Sequence, residues 1–188
     1  MPYLKKFKFW LVLCLWVGLS MPVFAASDGI QIKTAELKQV DEMYYLNAQM
    51  NVNLSPMQEE AIKKGVSLYF ITEFEFKRRR WYWLNEDLAR ITRVTRLSYN
   101  ALLRQYFVSG VNVHARSVDK LEDALMILGE INAWPVISRN QLDKHETYQA
   151  TLSMRLDTSQ LPKPLQINAI ATGRWELESA PLVWIMNP

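Results

Sequence analysis

From Tyr44 to Leu54 the chain alternates. Tyr44, Leu46, Ala48, Met50, Val52 and Leu54 share one parity, and Asn47, Gln49, Asn51 and Asn53 take the other. A period of two puts successive side chains on opposite faces, so this segment predicts a β-strand with one buried and one wetted face. The same rhythm recurs with Val66, Leu68, Phe70, Phe74 and Phe76 inward and Ser67, Glu73, Glu75 and Lys77 outward. It returns with Tyr148, Ala150, Leu152, Met154 and Leu156 against Gln149, Thr151, Ser153, Arg155 and Asp157. Shorter apolar runs predict further strands over residues 30–37, 91–99, 102–108, 165–171, 174–178 and 182–186.

Two helices interrupt the strands. Ser55-Pro56-Met57-Gln58 offers an N-cap, a proline at the first helical position and a glutamine where a capping box needs one, and Gly65 ends that helix. Ser117 opens the second, with Val118, Leu121, Ala124, Leu125 and Leu128 on one face and Gly129 as its stop. Pro162 and Pro164 bracket Lys163 and predict an extended crossover between strands. The expected fold is mainly β: an antiparallel β-sandwich-like domain with two short α-helices. No linker or internal repeat divides it, so residues 26–188 are expected to form a single domain.

The first 25 residues read differently. Lys5, Lys6 and Lys8 precede an uncharged apolar run from Trp10 to Leu19, and Val23-Phe24-Ala25 supplies a small-residue cleavage site before Ala26. This is the layout of a cleavable secretory signal peptide, and it predicts a periplasmic protein. The alternative is an inner-membrane anchor left uncut. The run is about half the roughly 20 residues a spanning helix needs. No later stretch approaches that length, so the remainder is expected to be soluble.

Export changes the charge arithmetic. Three of the 22 basic residues leave with the signal, so the remaining chain carries 19 basic groups against 19 acidic ones. Global charge therefore gives no case for a nucleic-acid partner. Cys14, the only cysteine, leaves too, and with it any disulfide or thiol nucleophile.

Candidate chemistry is sparse. His114 and His145 stand outside any metal-binding spacing, and no phosphate-cradling loop or nucleophile elbow occurs. No metal or cofactor is expected. Glu73 and Glu75 share one strand face, the placement an acid–base pair in a glycosidase needs, but outward glutamates on a strand more commonly form a solvated face. A non-enzymatic protein is the expectation.

The most concentrated feature is Lys77-Arg78-Arg79-Arg80-Trp81-Tyr82-Trp83, four cations and then three aromatics at the end of a strand. Tryptophan, tyrosine and arginine dominate protein-interface hot spots, so this segment is the candidate docking edge for an envelope protein. The same residues suit an anionic lipid or glycan, through bidentate guanidinium contacts and aromatic stacking. The bland alternative pairs the cations with Glu59, Glu60, Glu73, Glu75, Glu86 or Asp87 and buries the aromatics. Arg90, Arg93, Arg96 and Arg104 add a second basic series, with Arg93 and Arg96 on opposite strand faces.

Several segments together resemble the DUF4390 proteins: residues 60–70 (EAIKKGVSLYF), Arg80-Trp81-Tyr82-Trp83, Arg96-Leu97-Ser98-Tyr99-Asn100, Arg104-Gln105-Tyr106, and residues 156–166 (LDTSQLPKPLQ). The resemblance covers nearly all of the exported chain. It implies an exported proteobacterial protein of unknown function with no assigned catalytic residues. Members are often encoded beside a two-component sensor kinase of the nitrogen-regulation type. The resemblance therefore implies a periplasmic region of such a kinase as a partner.

Overall fold

The computed structural model describes residues 29–80, 86–111 and 113–188. The expected signal segment, 1–25, lies outside the described residues. Two antiparallel sheets form. The smaller has the order β1 (Gly29–Val40), β2 (Met43–Asn53) and β7 (Glu130–Ser138). The larger runs β6 (Val113–Val118), β5 (Gln105–Gly110), β4 (Glu86–Asn100), β3 (Leu68–Arg78), β8 (Tyr148–Leu156) and β9 (Leu182–Met186). The mainly β, antiparallel expectation describes this chain.

The core follows from the alternation. The inward residues of β2, β3 and β8 are buried and join one hydrophobic cluster shared by both sheets. Phe70, Phe74, Phe76, Leu152 and Met154 sit at its centre. Phe76 stacks on Phe74 at 6.1 Å and on Tyr148 at 5.3 Å between ring centres, the spacing offset aromatic pairs favour.

Helix α1 (Pro56–Lys63) forms as the sequence predicts. The Ser55 hydroxyl accepts from the Gln58 amide, and the Gln58 side chain accepts from the Ser55 amide. Helix α2 begins later than expected, at Leu121–Gly129 with Lys120 as its N-cap, because Ser117 belongs to β6 opposite Phe107. It packs on β2, β5 and β6. Gly129 is not a left-handed stop. It is buried against β2, where an added Cβ would lie 2.0 Å from the Met50 carbonyl oxygen.

Four expectations fail locally. Residues 165–171 are not a strand, and the prolines before them do not make an extended crossover. A third helix among the described residues, α3 (Lys163–Thr172), stands there. Prolines 162 and 164 cannot donate to a sheet ladder, whereas a proline in the first helical turn gives up nothing, and the Leu165 and Gln166 amides both donate to the Pro162 carbonyl. Residues 174–178 contribute one isolated bridge, Glu178 opposite Arg155, instead of a strand. The strand expected from residue 102 starts at Gln105, leaving Leu102 and Leu103 in the β4–β5 turn. β7 escapes the alternation because Pro135 and two register shifts interrupt it. It lies at a sheet edge, where a proline is tolerated.

The larger sheet has two distinct ends, about 33 Å apart along the eleven residues of β3. One carries Arg78, the β1–β2 turn and the loop at 139–147, tied together where the Arg139 amide donates to the Glu42 carbonyl. The other carries the β4–β5 turn, Asp157 and α3. Ile30 bridges Ser179 in parallel, so β1 runs away from this second end and begins on its side, at Gly29.

Candidate functional site

The strand end at Lys77–Arg80 is shaped by a bulge. Phe76 pairs with Ala89 but Lys77 pairs with Asp87, so β4 carries one extra residue, Leu88. Below it, Lys77 lies between two carboxylates, Glu75 at 2.8 Å and Asp87 at 3.5 Å. The hydrogen bond to Glu75 holds the Lys77 ammonium above its ordinary pKa, against a smaller opposing effect of burial. Arg78 pairs with Glu86 at 3.6 Å, and Glu86 also takes Arg80. The Arg78 guanidinium stands over the Tyr148 ring, while its Nε is buried without a hydrogen-bond partner.

Arg79 differs from its neighbours. Its amide donates to the Thr147 carbonyl at 2.9 Å, which fixes its backbone to the loop before β8. Its side chain is exposed and makes no ion pair among the described residues. Arg79 and Arg80 line a cavity of about 320 Å³ with His145, Glu146 and Thr147. Arg78 lines a second, of about 480 Å³, with Asn140, Leu142, Asp143, Lys144 and His145. The loop is held by Asp143, whose carboxylate accepts from the His145 amide and whose own amide donates to the Tyr148 hydroxyl at 2.7 Å. Sequence reasoning did not connect His145 and Lys144 to this end. They lie more than sixty residues from Arg80 along the chain, and only β3–β8 pairing brings them alongside.

Trp81, Tyr82 and Trp83, the aromatic half of the candidate segment, lie outside the described residues. The other candidates are dispersed. Arg90 binds both Glu73 and Glu75 on the outer sheet face, so these carboxylates sit in an ion-pair lattice with Arg90 and Lys77. Arg96 shares that face, with its guanidinium on Ser67 and over Tyr69. Arg93 turns the opposite way, across from Thr72, as its parity requires, and burial lowers its pKa. Arg104 stands in the β4–β5 turn. His114 is on the edge strand β6 and His145 in the loop before β8. Among the described residues no three His, Cys, Asp or Glu side chains converge to hold a metal.

A two-sheet antiparallel domain with a cationic strand end facing a short polar loop is the class of protein defined so far. Residues 27–185 match the family described as Domain of unknown function (DUF4390), and the chain belongs to that family. No curated protein and no solved structure matches it.

Proposed function

We propose that this chain is a periplasmic, non-enzymatic interaction module that contacts an envelope protein through the strand end at Lys77–Trp83. The periplasmic region of a two-component sensor kinase is the candidate partner. The observation that supports this reading is the difference between Arg79 and its neighbours. Lys77, Arg78 and Arg80 are held by Glu75, Glu86 and Asp87, while Arg79 projects from a backbone fixed to Thr147. A rigidly presented arginine in a locally neutral frame suits a protein interface, where a few anchors carry most of the energy. An anionic lipid or glycan, the alternative, draws on net positive charge. Pairing removes most of that charge here, so the protein partner is favoured.

Arg79→Glu tests the site without disturbing the neighbouring ion pairs. The expected result is loss of co-purification with the sensor's periplasmic region, with the thermal midpoint unchanged. Undiminished co-purification would move the contact elsewhere. Retention on anionic vesicles at low salt, lost in the variant, would favour the lipid alternative.

A further inference from the structure

The end of the molecule opposite Arg79 exposes apolar side chains that the fold leaves uncovered. Leu102 and Leu103 occupy the β4–β5 turn and are 96% and 60% exposed. Tight turns ordinarily carry small or polar residues. This one is rigid, because the Asn100 carboxamide oxygen accepts from both the Leu102 and the Leu103 amides. Helix α3 connects buried Leu161 to buried Trp175 at the same end, yet it buries only Ala169 and turns Ile167 and Ile170 outward, 71% and 88% exposed. Leu102 and Ile170 are the two most exposed large apolar side chains among the described residues. A cation accompanies each pair, Arg104 after the leucines and Lys163 at the start of α3, and neither makes an ion pair among the described residues.

The chain preceding Gly29 says what covers this end. No charged residue occurs from Phe9 to Ser27, and Ser27 is two residues from the start of β1. Two residues reach about 7 Å at full extension. In the uncut chain, the alternative to cleavage before Ala26, a membrane holding the uncharged segment would therefore hold this end of the domain against its surface.

We propose that, in the chain that keeps its first 25 residues, this end of the domain rests on a phospholipid bilayer, with Leu102, Leu103, Ile167 and Ile170 entering the interface and Arg104 and Lys163 facing anionic headgroups. Exposed aliphatic side chains flanked by cations are the chemistry of interfacial membrane binding. The arrangement directs the Arg79 end away from the membrane, about 33 Å along β3. It is independent of whether Arg79 contacts a protein, and either reading can fail without the other.

The test uses the full chain, synthesised cell-free into vesicles of phosphatidylethanolamine and phosphatidylglycerol, with Cys14→Ser and a single fluorophore at Leu102→Cys, Ile170→Cys or Arg79→Cys. All three labelled positions are exposed, so the label does not compete with packing. Lipid-borne quenchers are expected to reduce emission at 102 and 170 and leave 79 unchanged. Leu102→Ser/Leu103→Ser is expected to reduce the quenching at 170. Labels at 102 and 170 that stay water-exposed would overturn the proposal. So would an apolar environment insensitive to lipid quencher, the signature of a second copy covering this end, or equal quenching at 79, which would mean the domain lies flat.

Discussion

Arg78 and Tyr148 sit opposite each other on β3 and β8, with the guanidinium carbon 6.0 Å from the centre of the tyrosine ring. The ring is fully buried and stacked on Phe76, and its hydroxyl accepts from the Asp143 amide. One side chain thus joins the core, the cationic strand end and the loop facing it. The loop can hold its place beside Arg79 because its anchor is part of the core.

Tyr148→Phe keeps the packing and removes the acceptor. It is expected to cost about 1 kcal/mol, the net worth of a typical hydrogen bond. That corresponds to a midpoint lower by about 2–4 °C in a domain of this size. Amide exchange at Asp143 and His145 should accelerate while β8 stays protected. Unchanged exchange in the loop would show that the hydroxyl does not hold it.

Glu86 and Arg78 should respond differently to removal. Glu86→Gln leaves two guanidinium groups without a shared carboxylate. Because Glu86 is 40% exposed, the cost is expected to be only about 0.5–1 kcal/mol and to fade at high salt. Arg78→Met retains an apolar stem over Tyr148 and relieves the buried Nε, so stability is expected within about 1 kcal/mol of the parent. Urea titrations at low and high salt distinguish the two.

Gly129→Ala puts a methyl group where the Met50 carbonyl oxygen lies at 2.0 Å. Neither atom belongs to a flexible side chain, so α2 must lift from β2. Overpacking of this kind costs about 1–3 kcal/mol. At about 2–4 °C for each kcal/mol, the expected fall in midpoint is several degrees. An unaltered melt would mean that α2 shifts freely on β2.

Alkaline pH should weaken the fold. Glu75 raises the Lys77 pKa above 10.5, and burial, helped by nearby Tyr99, Glu59 and Glu122, raises the Tyr106 pKa above 10.0. Each group binds its proton more tightly folded than unfolded. The resulting stability is full below the unfolded values and is lost as pH rises through the folded ones. Thermal melts from neutral pH upward should fall beyond the ordinary values of these two groups. The fall should be shallower in Lys77→Met/Tyr106→Phe, and an identical slope would remove both groups as its cause.

The strands with one wet face were readable because alternation is a local consequence of burial. Tyr44–Leu54 and Tyr148–Leu156 needed no partner to be recognised. The segment at 165–171 misled for the same reason. Its alternation is genuine in sequence, but a chain lacking two ladder donors ahead of it does better as a helix that leaves its isoleucines in solvent. At the cationic end, four consecutive positive charges were plain, and so were the acids near them in sequence. Their division into three paired cations and an exposed Arg79 was not.

By itself, then, the sequence determined a β-rich domain, its helix α1 with both halves of the capping box, and a basic segment ending β3. These depend on period, caps and composition, which act over a few residues. Tertiary structure alone decided that Gly129 serves a close approach and that loop 139–147 faces Arg79. It also decided that Leu102 and Ile170 belong to the end from which Gly29 emerges. Those facts depend on which strands pair and in what register, and such long-range choices are made by the whole core together.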